Sequence, residues 1–391
     1  MTLRFLTAGE SHGPALTTIV EGLPAGVPVV KAAIDRELKR RMGGHGRGGR
    51  MRIESDEVEI LGGTRFGLTL GSPVALLIRN RDFANWKEAM APQGARPSEG
   101  SARAVTRPRP GHADLAGALK YGTHDARDIL ERASARETAA RTAAGALAKA
   151  FLLELGVVVT TRTVAVGGVV ASSDEGDDIA ALLALPDDAP MRSPRAATVA
   201  AMIAAVDEAR QRADSVGGCF EVIVRGLPPG VGSHVHWDKR LDARLGAAML
   251  SIQAVKGVAI GDGIEVAAGG GREAHDWIDY DPSSRRFTRP TNRAGGLEGG
   301  MTNGEVVRLF AYLKPLATLP VPLPSVDLVT KERSVADVQR TDTVPIVAAG
   351  VVGEAMAGLV LADAMMEKFG GDSLRETRIN LDAYVLSLRE Y

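Results

Sequence analysis

The chain has 391 residues, 45% hydrophobic and 24% charged, the balance of a globular protein with enough apolar mass for a sizeable core. A formal net charge of −1 and only 4% aromatic residues point away from a nucleic-acid or membrane-surface partner. The lone Cys219 excludes an internal disulfide and fits a reducing compartment. No signal-peptide run opens the chain, and no stretch reads as the roughly 20 apolar residues of a membrane span, so the cytoplasm is the expected location.

In chain order, residues 17–30 read as a strand followed by a Gly/Pro turn. Residues 31–42 carry Ile34, Leu38 and Met42 at helical spacing and stop at Gly43-Gly44. Strands are expected over 51–60 and 73–79, and 91–110, with no apolar period, reads as a long loop. A helix starts near Ser134, where Ser134-Ala135-Arg136-Glu137 has the form of a capping box, and runs through Leu155 to Gly156. Further strands fall near 157–170, 219–225 and 306–313, with helices near 196–212 and 239–251. A last long helix is expected from about Pro345 to Phe369, ending at Gly370-Gly371.

One segment is repeated. Val20-Glu21-Gly22-Leu23-Pro24-Ala25-Gly26-Val27 resembles Val224-Arg225-Gly226-Leu227-Pro228-Pro229-Gly230-Val231, and a helical segment follows each. The repeat predicts two related halves folded into one body. No Pro/Ser-rich linker divides the chain, so residues 1–391 are expected to form a single pseudo-symmetric α+β domain.

Chemistry-bearing residues cluster on Gly- and Pro-framed loops. In Gly9-Glu10-Ser11-His12-Gly13 the small neighbours leave the His12 ring free to meet a ligand and move protons near neutrality. Arg40, Arg41, Arg47 and Arg50 surround Gly43-Gly44-His45-Gly46, where guanidinium groups and backbone can crowd an anion. Gly44-His45-Gly46-Arg47-Gly48-Gly49 matches the dinucleotide fingerprint in letters, but it follows a helix and precedes a strand, the reverse of that motif's setting. Arg107-Pro108-Arg109-Pro110-Gly111-His112-Ala113-Asp114 presents Arg109 and His112 on a stiff loop. Arg136 lies at a helix N-terminus, where free N–H groups favour anions, and Arg340-Thr341-Asp342 stands before the last helix. His234 and His236 lack companions at metal-ligand spacing, so no metal is expected. Together these features predict a small, multiply anionic substrate and acid–base chemistry. A phosphate- or flavin-binding protein without turnover, an RGG-type RNA binder and a hydride-transferring flavoenzyme remain as alternatives.

The same residues carry a family resemblance. Gly9 to Pro14 with Glu21-Gly22-Leu23-Pro24, Glu131 to Thr138, and Arg340-Thr341-Asp342 with Gly353-Glu354-Ala355 are similar to the three signatures of the chorismate synthase family. Segments 109–114, 299–304 and 314–318 also resemble family segments, and the matches run in order along nearly the whole chain. The second motif departs from the common Arg-Ser-Ser at Ala133, and the third has Thr341 and Thr343 where serine and proline are common.

The resemblance implies a β-α-β sandwich with helices layered between antiparallel sheets, assembled as a homotetramer. It implies the 1,4-anti elimination of phosphate from 5-enolpyruvylshikimate 3-phosphate, with reduced FMN required but no net redox change. His12 would protonate the departing phosphate, His112 would keep the reduced flavin in its protonation state, and Asp342 would act beside flavin N5. Ser11, Arg41, Arg47, Arg50, Arg109, Arg136 and Arg340 would hold the substrate, Arg340 near the flavin. The flavin would lie against Arg132, Ala133, Ser134, Gln253, Ala254, Gly299, Lys314, Pro315, Leu316, Ala317 and Thr318. Arg41 and Arg47 are also the family's NADPH positions. With no reductase domain visible, the resemblance implies a monofunctional enzyme supplied by an external flavin reductase, with NADPH only an indirect source of reducing equivalents.

Overall fold

The computed structural model describes residues 2–48, 56–94, 104–339 and 342–391. The expected strand residues 51–55 and the middle of the 91–110 loop lie outside the described residues. The principal elements are strands β1 (Arg4–Ala8), β2 (Ala15–Glu21), β3 (Val58–Gly62) and β4 (Val74–Arg79) in the first half, with helices α1 (Lys31–Met42), α2 (Asp114–Tyr121), α3 (Arg127–Ala133) and α4 (Thr138–Glu154). The second half holds β5 (Val158–Val166), β6 (Val169–Val170), β7 (Gly218–Arg225), β8 (Val255–Ile260) and β9 (Val307–Leu313). Its helices are α5 (Ala196–Gln211), α6 (Leu241–Leu250), α7 (Ile346–Phe369) and α8 (Leu374–Ser387).

Two antiparallel sheets result, in the orders β1-β2-β4-β3 and β8-β9-β7-β5-β6. The two central strands of the first sheet alternate: Leu16, Thr18 and Val20 of β2 and Val74, Leu76 and Ile78 of β4 are buried, and their neighbours are less so. The inward faces pack on helices. Helices α1 and α4 cover the first sheet, α6 and α7 the second, and α4 packs on α7 between them. The arrangement is the expected α+β sandwich with a helical layer between antiparallel sheets.

The repeated segment marks a repeated topology. The order β1-β2-α1-β3-β4-α4 recurs as β5-β7-α6-β8-β9-α7, with β6 as an extra edge. Even the hydrogen bonds recur. Thr69 Oγ1 donates to Pro24 O at 2.6 Å and accepts from Val27 N at 2.9 Å; Thr302 Oγ1 donates to Pro228 O at 2.6 Å and accepts from Val231 N at 2.9 Å. In both copies the first glycine has left-handed backbone (Gly22 φ 90°, Gly226 φ 95°) and a Cβ there would strike a carbonyl oxygen, Thr2 O or Gly156 O.

Two expectations about helices change. The Ser134 capping box does not form. Ser134 Oγ accepts from Arg136 N at 3.3 Å, while the Glu137 carboxylate accepts from Thr7 Oγ1 at 2.8 Å and Arg141 Nε at 2.8 Å. A 3₁₀ turn over Ala135–Glu137 therefore precedes α4. Helix α7, contrary to the reading of the sequence, is long and apolar enough by length and composition to cross a bilayer. Nonetheless 89% of its most apolar stretch is buried inside the protein, because it is the central helix of the layer.

The close α4–α7 crossing depends on small residues. A Cβ on Gly145 would lie 2.4 Å from Ala355 Cα, a distance only a backbone shift can relieve. Gly145→Ala is expected to destabilise by about 1–3 kcal/mol, although helix propensity alone predicts a gain of about 1 kcal/mol. Denaturant unfolding decides the sign, and unchanged or raised stability contradicts this packing.

Candidate active site

One large cavity, about 880 Å³, opens where the two halves meet, near the upper end of the roughly 300–1,000 Å³ typical of ligand pockets. Its walls come from corresponding parts of the two halves. The loop between β1 and β2 supplies Ser11 and His12, the end of α1 and its following loop supply Arg41, Arg47 and Gly48, and the turn after β4 supplies Asp82 and Trp86. The loop before α2 gives Arg109 and His112, and the α3–α4 junction gives Ala133, Ser134 and Arg136. From the second half come Gln253-Ala254 between α6 and β8, Lys314 and Leu316–Thr318 after β9, and Asp342 before α7.

Both histidines are tied to buried carboxylates that also hold an arginine. His12 Nδ1 donates to Glu131 at 2.8 Å, and His12 N donates to the same carboxylate at 2.8 Å. Arg127 Nη1 donates to Glu131 at 3.1 Å. Burial alone would push the Glu131 carboxyl up, but the hydrogen bonds and charge of His12, with Arg127, hold it below its ordinary value. The second set repeats the plan. His112 Nδ1 donates to Asp114 at 2.5 Å, and Arg109 Nε donates to Asp114 at 2.8 Å. Burial opposes ionisation of Asp114, and His112 and Arg109 overcome it, holding the carboxyl well below the usual range. An ionised carboxylate can only accept, so Nδ1 of each ring carries a proton. Nε2 of His12 is left for chemistry, while Arg109 Nη2 lies 3.1 Å from Nδ1 and 3.5 Å from Nε2 of His112.

Several arginines of the cavity wall converge on buried carboxylates. Buried Asp56 accepts from Arg136 Nη1 through both oxygens at 2.6 Å and lies 3.7 Å from Arg41 Nη2. Two guanidinium groups thus meet at one carboxylate on the cavity wall, and guanidinium forks of this kind suit phosphate and carboxylate. Lys314, whose ammonium burial and nearby Lys256 make easier to deprotonate, donates to Gly111 O at 2.9 Å and ties the His112 loop to the second half. Arg109 Nη1 donates to Thr318 Oγ1 at 2.9 Å and makes a second tie. Asp342 accepts from Arg47 Nη1 at 2.6 Å and Gly48 N at 2.7 Å.

Among the residues singled out in the sequence, the cavity brings together Ser11, His12, Arg41, Arg47, Arg109, His112, Ala133, Ser134, Arg136, Gln253, Ala254, Lys314, Leu316, Ala317, Thr318 and Asp342. Arg132, Pro315 and Gly299 lie apart from it. Neighbouring helical positions point about 100° apart, so while Glu131 reaches His12, Arg132 turns to β1 and donates to Thr7 O at 2.9 Å and Gly9 O at 3.1 Å. Pro315 packs at Gly217, and Gly299 sits in the turn of a short hairpin between Leu297–Glu298 and Met301–Thr302. Arg50 and Arg340 lie outside the described residues. Glu131 and Asp114 stood inside the quoted motifs without being given roles; Asp56 and Trp86 carried no local signal.

Two histidine–carboxylate units and several arginines around one cavity form an arrangement suited to acid–base chemistry on an anionic ligand. A sequence model described as chorismate synthase matches residues 3–366. The chorismate synthase of Solibacter usitatus (strain Ellin6076) is 53% identical over 389 residues, covering 100% of both chains. That of Moorella thermoacetica is 55% identical over 388 residues, covering 99% of this chain and 100% of the other. A crystal structure of a chorismate synthase superposes with a TM-score of 0.79 at 39% identity, covering 100% of this chain and 99% of that one. The chain belongs to the chorismate synthase family, a family of lyases.

Proposed function

We propose that this chain catalyses the 1,4-anti elimination of phosphate from 5-enolpyruvylshikimate 3-phosphate to chorismate, with reduced FMN bound in the same cavity and no net redox change. The observation that carries the proposal is the pair of histidine–carboxylate units facing one arginine-lined cavity. A hydride-transferring enzyme or a simple binder has no need of both.

The residues present fit a flavin. Ile252, Ala254, Leu313, Leu316 and Ala317 give an apolar wall, and Gln253 Oε1 is buried with no hydrogen-bond partner among the described residues, suited to a ring N–H donor. Ala254 holds a left-handed φ of 70°, local strain of the kind that marks ligand clamps. Ala133, Ser134, Gln253, Ala254, Lys314 and Leu316–Thr318 would hold the cofactor. Reduced FMN, when bound, supplies electron density to the C–O bond that breaks.

The chain's own groups then have definite tasks. Arg41, Arg136, Arg109 and Arg47 neutralise the phosphate and carboxylates, so the developing charge meets cations already in place. His12 presents Nε2 as the proton donor to the leaving phosphate, and His112 holds a proton at the cofactor's side of the cavity. Asp342 becomes a proton acceptor when the anionic substrate draws Arg47 away from it. The supply of reduced FMN falls to a separate flavin reductase, with NADPH only the source of its electrons. Leu6, Ile19 and Leu61 are exposed apolar side chains of the first sheet, the kind of surface that meets another protein, and it would serve in the homotetramer the family resemblance implies.

His12→Ala and His112→Ala are each expected to lower kcat by about 10²- to 10⁴-fold, measured with reduced FMN under anaerobic conditions. Wild-type turnover in both variants would overturn the assignment of acid–base roles.

A further inference from the structure

A proton donor must be fixed in plane as well as in tautomer. Glu131 settles the tautomer of His12, but bonds made only at Nδ1 leave the ring able to swing about that anchor. The face of the ring is held by something else. The indole of Trp86 stacks on the imidazole with centroids 3.8 Å apart and planes 25° from parallel.

Trp86 is itself held from several sides. Its Nε1 donates to Asp82 Oδ2 at 3.0 Å, and its backbone N donates to Phe83 O at 2.8 Å. The Arg127 guanidinium carbon lies 5.1 Å from the indole centroid, within cation–π range, and Arg127 also holds Glu131. His12, Glu131, Arg127 and Trp86 thus close a ring of contacts. Asn80 couples the two loops involved. Its Oδ1 accepts from Asp82 N at 3.1 Å, capping the turn that carries Trp86, and its Nδ2 donates to Ser11 O at 3.2 Å and Gly13 O at 2.9 Å on either side of His12. The tryptophan turn and the histidine loop are therefore built as one unit, and both line the cavity.

We infer that Trp86 is a positioning residue for His12, an aromatic wall that fixes the plane of the imidazole and so aims Nε2 at the leaving group. The inference rests on the proton-donor role proposed for His12. An indole that acts through the ring, although it borders the cavity, is one whose loss is felt in turnover more than in binding.

The test compares Trp86→Leu, Trp86→Phe and His12→Ala in the full-length protein, with thermal melting to establish that each is folded. Trp86→Leu is expected to lower kcat by about 100-fold with KM for the substrate within about threefold, and Trp86→Phe, which keeps a flat ring, recovers most of the loss. A spectroscopic readout is independent of activity. The chain has 7 histidines, and His12→Ala assigns one ring resonance in protein carrying ¹³C-labelled histidine. That resonance is shifted upfield by the indole in the wild type and moves downfield in Trp86→Leu. Full kcat in Trp86→Leu, or an unmoved His12 resonance, overturns the inference while an inactive His12→Ala leaves the role of His12 standing. Wild-type turnover in His12→Ala instead removes that role, and the inference with it.

Discussion

Asp114→Asn lowers kcat by about 10²- to 10⁴-fold with the far-UV circular dichroism unchanged. Asp114 is fully buried and accepts from Arg109 N at 3.1 Å, Arg109 Nε at 2.8 Å, Arg109 Nη2 at 3.1 Å and His112 Nδ1 at 2.5 Å. An asparagine has one acceptor oxygen and must turn its NH₂ toward either the guanidinium or the ring. If the NH₂ meets the imidazole, the ring takes the opposite tautomer and offers the wrong nitrogen to the cavity. If it meets Arg109, a cation is released from its place beside Thr318. One isosteric change therefore disables two groups on the same loop. Steady-state turnover measures the loss, and activity within about threefold of wild type contradicts the coupling.

Glu354→Ala lowers the unfolding free energy by about 3–5 kcal/mol. Glu354 sits on α7 with no exposed surface and accepts from Arg40 of α1 through two bonds, at 2.7 and 2.8 Å, and from Lys149 of α4 at 2.5 Å. Glu37 also accepts from both cations, from Arg40 Nη1 at 2.8 Å and Lys149 Nζ at 2.9 Å, and Asp187 lies 4.0 Å from Arg40 Nε. Three helices of the central layer are thus joined by one buried charge cluster. Removing Glu354 takes away the carboxylate that Arg40 and Lys149 share and that Arg192 also lies near, leaving Glu37 as the carboxylate bonded to Arg40 and Lys149. Burial opposes ionisation of Glu354, but Lys149 and Arg40 dominate and hold its carboxyl well below the ordinary value. Its contribution is therefore complete above the unfolded-state value near pH 4.3 and is lost as the pH falls toward the folded-state value, where the unfolded chain binds the additional proton. Guanidinium unfolding between about pH 5 and 3 should show a shallower decline in Glu354→Gln than in wild type. Parallel declines would place the acid sensitivity in other groups.

Much of the fold was legible because its boundaries are written in local chemistry. Gly43-Gly44, Gly156 and Gly370-Gly371 stop α1, α4 and α7 where the sequence places them. The repeated Gly-Leu-Pro segment announced the repeated topology. Its hydrogen-bonding partners, Thr69 and Thr302, lie 42 and 71 residues from the valines they bind and gave no local sign.

The site divides the same way. His12 and His112 were visible because glycine and proline frame them, and the arginines because they cluster. Their carboxylate partners are matters of tertiary distance: Glu131 is 119 residues from His12, Asp56 is 80 from Arg136, and Asp342 is 295 from Arg47. Asp114, two residues past His112, and Glu131, four past Arg127, were the exceptions whose spacing could have been read. Trp86 could not have been, since nothing local tells a stacking indole from a surface one. The Ser134 capping box failed because Glu137 finds better partners in Thr7 and Arg141.

The reaction proposed for this cavity eliminates phosphate with the help of a reduced flavin that ends the reaction unchanged. Anaerobic incubation of the wild-type protein with 5-enolpyruvylshikimate 3-phosphate and dithionite-reduced FMN, following chorismate absorbance and released phosphate together, tests it most directly. Equal amounts of both products, with the flavin still reduced after many turnovers, are the predicted result. Tight binding of substrate and flavin without product, or product formed only as flavin is oxidised in equal amount, would contradict the account.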